Sequence, residues 1–475
     1  MSAQSRLRPT VIAFLLALLI TAPIADGVFH IPIQVSDSLE AIVIAVKSPS
    51  SSKLLADSMQ FSPTTFRPLR YLQSRWLLRA ADRVHVSDTT MFRGVHVALL
   101  IAIVVLFVIA VGVRDWIDLS AFSVAVVVLV GVHTFVTMLL EAFPVNHFAE
   151  VGACALGAFV ALRHPARWFT PIVVCLLMIL ALAVIESGAM VWVVVICCAA
   201  AGMRGATRST VIASTAVFAG YLLLRHQLGI SSPGIGGHGS GFGDTVYSGD
   251  ELVRRFGAHP LGFMLYNVVG GFASLLFAEP RTGVYSLLVS WHARAIHPVV
   301  VINILSSLLT TGLIAWYAWR CVRMGRAAWS DRDRMFLAAC AVFTANSAFN
   351  AAYMKDEIMS AGGLFYAFAA FVALRALLVS LPERRAAISM AMILLITSTA
   401  ALWAFRAVGV QYQLRYDAFK IRNDWIEVLR PDKRDDWPHD PAELAITQRL
   451  RAEAIDRREA SPSFMPRWAD RYWVE

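Results

Sequence analysis

Long apolar blocks follow one another along this chain from residue 10 to residue 405. They are continuous and rich in Ala and Leu, without the alternation that a membrane β-barrel strand requires. A helix needs about 20 apolar residues to cross the hydrocarbon core of a bilayer, and most of these blocks approach that length. Charged residues make up only 16% of the 475, against 57% hydrophobic; an ordinary soluble domain carries about 25% charged residues. The fold class these features predict is an all-α polytopic membrane protein.

The blocks place spans at roughly 10–26, 95–113, 120–140, 149–163, 168–186, 189–203, 209–224, 298–319, 335–352, 361–379 and 386–405. That gives about 11 transmembrane helices, within a range of 10–13. Arginines collect in alternate connections: Arg114, then Arg163 and Arg167, then Arg204 and Arg208. Arg320, Arg323, Arg326, Arg332 and Arg334 follow, and finally Arg384 and Arg385. The short turns on the opposite side, near 141–148, 187 and 353–358, hold one basic residue, Lys355. An excess of Lys and Arg marks cytoplasmic loops, so the arginine side reads as inside and the other as outside. Segment 261–278 cannot be a lone extra span without moving the 320–334 loop outward. It reads as interfacial or re-entrant, with Gly270-Gly271 easing a bend. The organisation is then a transmembrane domain over 1–405 with a first outer loop at 27–94 and a second outer region at 225–297. A polar C-terminal tail at 406–475 follows, placed on the outer side by the same count. Arg6 and Arg8 ahead of an apolar run resemble a signal peptide, but no convincing cleavage site follows, and an uncleaved first span is expected.

The net charge of +9 comes largely from these topological arginines, so it does not indicate nucleic-acid binding. Cys154, Cys175, Cys197, Cys198, Cys321 and Cys340 lie in or beside apolar blocks, which argues against a disulfide framework and against a zinc site. Residues 231–249 contain seven glycines. Without a strand before and a helix after, they do not make a nucleotide fingerprint, and they read as a flexible loop with His238 and Asp244 in solvent.

Ionisable residues from separate parts of the chain converge on the outer side: Asp37, Glu40, Glu141, His147, Glu186, Arg225, Lys355, Asp356 and Glu357. Such residues at the edge of membrane helices are candidates for function, or they simply meet water there. Asp37 stands about ten residues beyond the first span, ahead of the apolar run Ala41–Val46. A surface helix starting here sets Asp37 and Glu40 one turn apart. Asp37 is then either a base for an incoming hydroxyl or an N-cap, with Glu40 reaching back in a capping box. Arg67 and Arg70, with Trp76, Arg79 and Arg83 after them, suit lipid phosphate, because guanidinium groups present a planar fork to phosphate oxygens; they also suit ordinary anionic headgroups. Glu186, ending an apolar run, needs a cation, and Arg225 and Lys355 are the partners considered.

The order of these features resembles the GT-C superfamily of integral membrane glycosyltransferases, especially bacterial relatives of protein O-mannosyltransferases. The resemblance covers most of 1–405. It rests on one span followed by a long outer loop opening with an acid, Asp37; on Phe66-Arg67-Pro68-Leu69; and on the Ile185-Glu186 turn between paired spans. Tyr221–Arg225 and Tyr353-Met354-Lys355-Asp356 also match in place. The first loop carries Asp37 with Glu40 rather than an adjacent acidic pair, and no Lys precedes Glu186. The resemblance implies a transferase that moves a sugar from a polyprenyl-phosphate donor to an acceptor at the outer face of a bacterial plasma membrane. It implies inversion at the anomeric carbon. Asp37 would be the catalytic base, and Arg67, Arg70 or Lys355 would stabilise the departing phosphate. Glu40, Glu141, His147, Glu186, Arg225 and Asp356 would contribute to substrate binding. No cofactor is called for, and a divalent metal is left open; the partners are the lipid-linked donor and membrane lipid. Rival readings are a transporter or flippase of a lipid-linked saccharide, a ligase or polymerase of surface polysaccharide, and a membrane scaffold.

Overall fold

The computed structural model describes residues 3–58, 66–140, 147–230, 238–240, 246–277, 290–294, 296, 298–383 and 385–457. In chain order the helices are α1 (Ala3–His30), α2 (Asp37–Lys47), α3 (Ser51–Ser58), α4 (Pro68–Val84), α5 (Asp88–Val111), α6 (Trp116–Gly131) and α7 (His133–Leu140). Next come α8 (His147–Arg163), α9 (Thr170–Val184), α10 (Met190–Ala200) and α11 (Arg208–Gln227). Strands β1 (His238–Ser240) and β2 (Val246–Ser248) pair antiparallel where a loop was expected. The chain continues through α12 (Gly249–Phe256), α13 (Leu261–Phe277), α14 (Pro298–Met324), α15 (Asp331–Asn346), α16 (Ser360–Ser380), α17 (Ala386–Glu427) and α18 (Pro441–Asp456).

Among the described residues, five helices are long and apolar enough to cross a membrane: α1 from Arg8, α5, α14, α16 with the turn before it, and α17. A sixth is added if α12 and α13, which meet at 101°, count as one. This is fewer than the eleven crossings expected, because several blocks fold as shorter helices. The block at 120–140 breaks at Val132 into α6 and α7, and α9 ends at Ile185 before a 3-10 turn at Glu186–Ala189. Large apolar side chains on the outer surface remain exposed, among them Leu15 and Leu19 on α1, Leu176 and Ile179 on α9, and Ile393 and Leu394 on α17. So extensive an apolar surface is the surface of a protein made to contact lipid.

Helix α16 is the axis of the bundle. Nearly every residue from Ser360 to Leu374 is buried, and Gly362, Gly363, Ala367, Ala370 and Ala373 let neighbouring backbones approach closely. Phe365 and Phe368 meet Phe159 of α8 edge-on at 5.2 and 5.1 Å.

The helix ends sort into two groups. At one end lie the arginine-rich connections, knitted together by the arginines themselves. Arg163 caps the last carbonyls of α5 by donating to Ile109 and Ala110. Arg334 donates to Gly202 O at 2.6 Å, and Arg326 to Ala200 O at 3.2 Å. Asp118, fully buried in the first turn of α6, accepts from Arg332 of α15 at 3.0 and 3.1 Å, from Arg375 of α16, and from the Arg114 amide at 2.9 Å. Helix α15 starts here on a capping box, Ser330 with Asp333, which satisfies two otherwise orphan amides. Trp116, Trp168 and Trp319 are exposed around this end, as aromatic residues are at a membrane–water boundary.

At the other end stand α2–α4, α18 and the tips of α5, α8, α9, α11 and α16. Arg93 of α5, buried completely, donates to the carbonyls of Ile31 and Pro32 at 2.7 Å and thereby fixes the exit of α1. Helix α17 does not stop at residue 405. Its 42 residues run on to Glu427, roughly 63 Å at 1.5 Å per residue and about twice a 30 Å hydrocarbon core. Trp425 near its end donates to Ile33 O at 2.6 Å. From there α18 folds back over the first loop. Glu453 accepts from the amides of Asp88 and Thr89 at 3.0 and 2.9 Å, a carboxylate on the positive end of α5. Arg449 pairs with Asp88 at 2.7 Å. The C-terminal segment and the first loop therefore lie on the same side of the bundle.

Helix α13 enters the bundle from this second end. Asn267 donates to Ala351 O at 3.0 Å, and Gly271 packs so close to Asn350 that a Cβ there would meet its amide at 2.5 Å. Deeper, Leu276 O accepts from Thr311, whose hydroxyl also meets Tyr366 at 2.9 Å. Gly271 thus serves close packing against the 347–350 turn; the expected bend at Gly270-Gly271 does not occur, since α13 runs unbroken through both residues and the 101° bend precedes it.

Candidate functional site

Glu186 organises the first polar group. The 3-10 turn it opens is possible because residue 188 is glycine: a Cβ there would lie 2.3 Å from the Ala181 carbonyl carbon. The turn brings the carboxylate to the segment before α4, where Pro68 at the first helical position fixes the entry. Glu186 Oε1 accepts from the Phe66 amide at 3.0 Å. Its Oε2 accepts from Arg67 Nε at 3.1 Å, with Arg67 Nη2 at 3.0 Å. On the other side Arg225, in the last turn of α11, stands 3.8 Å from Oε1 and donates to Tyr221 Oη at 3.1 Å. Tyr221 in turn meets Phe66 edge-on. One carboxylate therefore meets two guanidinium groups from distant parts of the chain, Arg67 partly accessible and Arg225 buried.

Behind this group the seam between α4 and α8 is polar. Arg70, buried, lies against the Tyr71 ring. His147, completely buried at the start of α8, has Arg70, Arg67 and His96 as its titratable neighbours. One turn further along both helices, Gln73 meets Glu150 at 2.5 Å. His96 Nδ1 accepts from Arg93 Nη1 at 3.0 Å.

A second group surrounds Asp356. It lies 3.6 Å from His133 Nε2 and 3.5 Å from Ser274 Oγ, while Ser274 and His133 are 3.1 Å apart. All three are buried, and they come from α7, α13 and the turn before α16. Glu357 is buried beside it. Lys355, considered as a partner for Glu186, instead lies over the Tyr353 ring at 5.0 Å, with its amide donating to Asn350 Oδ1.

The structure thus gathers Arg67, Glu186 and Arg225 in one cluster, sets Arg70 and His147 behind it, and places Asp356 with His133. Asp37 opens α2 at the same end. The N-cap is Ser36, which makes no side-chain cap bond, so Asp37 is the first helical residue and not the N-cap, and Glu40 is exposed. The Asp37 side chain and Glu141 lie outside the described residues. His133, Ser274, Gln73 and Glu150 were not singled out from the sequence. His133 and Glu150 had a signal, since each is an ionisable residue inside an apolar block; Ser274 and Gln73 had none. Among the described residues no group of three or more His, Cys, Asp or Glu is placed to hold a metal ion.

No family model, curated protein or solved structure matches this chain.

Proposed function

We propose that the protein is a GT-C-like membrane glycosyltransferase that moves a sugar from a polyprenyl-phosphate donor to an acceptor hydroxyl at the outer face of a plasma membrane. The observation that carries this reading is the Arg67–Glu186–Arg225 cluster, at the end of the bundle opposite the arginine-rich turns. The positive-inside pattern assigns that arginine end to the cytoplasm and the cluster to the level of lipid headgroups on the other face. Glu186 holds the two guanidinium groups in fixed positions, and fixed positive charge stabilises an anion that forms as a bond breaks. In this reading α1, α5, α6 with α7, α8, α9, α10, α11, α14, α15, α16 and α17 are the eleven crossings, and α13 is re-entrant.

The chemistry balances simply. Asp37 takes the proton of the acceptor hydroxyl, and the acceptor oxygen attacks the anomeric carbon from the face opposite the phosphate. The bond from that carbon to the phosphate oxygen breaks, and the electron pair leaves on polyprenyl phosphate beside Arg67 and Arg70. The sugar is inverted, and the proton passes from Asp37 to water. Deleting the protein is expected to remove one glycan modification from envelope lipids, glycans or glycoproteins, read by mass spectrometry and restored by the wild-type gene. An unchanged glycan profile would contradict the reading.

A second reading, a flippase for a lipid-linked saccharide, draws on polar groups set inside the bundle. They include His133, Ser274 and Asp356 around α13, and Arg406 of α17, which donates to Ser306 and Ser307 of α14 at 3.0 and 2.9 Å. Transport through a bundle uses polar residues at such positions.

A further inference from the structure

We infer that Arg75 and Lys47 are positioning residues that clamp α2 and so set where Asp37 stands, an inference that rests on the catalytic reading of Asp37. Helix α2 has 11 residues, too short to be stable alone in water. Its buried positions, Ser38, Ala41, Ile42 and Ala45, recur at helical spacing and form one face against its neighbours. That face fixes how the helix lies but does little to stop it sliding along its own axis. Ahead of the helix, the carbonyls of Ile31, Pro32 and Ile33 are held by Arg93 and Trp425; the remaining axial restraint comes from its C-terminus.

There Arg75 of α4, only 9% exposed, reaches across. Its Nη1 donates to the carbonyls of Ala45, at 3.2 Å, and Ser48, and its Nη2 to that of Pro49, at 3.2 Å. The last carbonyls of a helix have no partner within it and carry its negative end, so a guanidinium suits them in both charge and hydrogen bonding. The three acceptors are met from two separate nitrogens of one planar fork, a spread that the single ammonium nitrogen of Lys does not reproduce. From the opposite side Lys47, the last residue of α2, pairs with Glu443 at 2.8 Å and Asp440 at 3.4 Å in the first turn of α18. Helix α2 is thus pinned between α4, which also begins with the Glu186-bound segment, and the C-terminal helix. Helix α4, with Arg67 at its N-cap and Arg70 in its first turn, therefore also carries the restraint on α2, so one rigid element sets the distance between these arginines and Asp37. Neither Arg75 nor Lys47 is singled out by the sequence.

The test uses the full-length protein in nanodiscs, with hydrogen exchange followed by mass spectrometry. Arg75→Met is expected to speed exchange across residues 38–47 by about tenfold or more, the scale of a lost charged hydrogen bond, with α5 and α16 unchanged. With lipid extract from a deletion strain as donor, kcat is expected to fall about tenfold, KM for the extracted lipid is expected to hold, and Arg75→Lys is expected to recover only part of the loss. Unchanged exchange in 38–47 overturns the clamp. Faster exchange with wild-type kcat overturns the positioning role. If Arg75→Met does not fold, Lys47→Glu gives the same reading: its faster exchange and lower kcat are expected to be recovered by adding Glu443→Lys, and no recovery overturns the proposal. If Asp37→Asn retains transfer, the catalytic assignment falls, while the exchange result on α2 still stands or fails by itself.

Discussion

Asp37→Asn is expected to lower sugar transfer by about a hundred- to ten-thousandfold, the range for removing a general base, while donor binding is retained. The substitution keeps the size of the side chain and its place at the start of α2. It replaces the negative charge with a neutral amide, and with the charge goes the capacity to accept a proton. The readout is the rate of product formation together with retention of the extracted donor lipid on the purified protein. A loss of donor retention equal to the loss of rate would mean that Asp37 binds rather than reacts. Near-normal transfer would remove it from the site.

The second large effect concerns stability at the opposite end. Asp118 is fully buried, and its carboxylate joins the first turn of α6 to Arg332 at the start of α15 and Arg375 near the end of α16. Asp115 adds a weaker contact to Arg375 at 3.7 Å. Asp118→Asn leaves both guanidinium groups and the Arg114 amide facing a neutral side chain. Breaking one side of a buried ion pair costs about 3–5 kcal/mol. The two arginines are 23% and 24% exposed, and water will meet part of their need, so the lower end, about 3 kcal/mol, is expected. Thermal or denaturant unfolding in detergent reads it, and a change under about 1 kcal/mol would show that the cluster is replaceable by solvent. The specific activity of the folded fraction is expected to be unchanged. The site lies at the far end of α5, whose 24 residues span about 36 Å.

The helical architecture was legible because apolar length is a local property. The break before Glu186 was legible for the same reason: a carboxylate ending an apolar run predicts a turn. The extent of α17 was not, although its pattern is present. Trp403, Val410, Leu414, Ala418, Ile421 and Trp425 are buried at spacings of mostly three, four or seven residues, a stripe along one face of a helix. A reading by average hydropathy ends at residue 405 because the other faces turn charged there. The same stripe, continued by Ile446, Leu450 and Ala454 on α18, explains why a charged tail packs back onto the first loop.

The site divides along the same line. Each functional candidate at a helix end could be found from its position, but its partner could not. Arg67 and Glu186 are 119 residues apart, and nothing near either one specifies the other. Arg225 was considered for Glu186 on grounds of side and charge, and the contact at 3.8 Å is consistent with that. Lys355 met the same criteria and lies elsewhere, over Tyr353. Asp118 was overlooked because the arginines around it were read only as markers of topology. Arg75 was overlooked because a single arginine on a polar helix ordinarily faces water, and only the fold shows that it faces the end of α2.

Whether the sugar–phosphate bond breaks separates the transferase from the flippase. Purified protein in sealed proteoliposomes, supplied with the lipid extract of a deletion strain and an envelope acceptor fraction, is the direct assay. The expected result is discharge of the lipid-linked sugar, with free polyprenyl phosphate appearing in step with glycosylated acceptor. Movement of the intact lipid-linked sugar between leaflets, with no polyprenyl phosphate released, would contradict it.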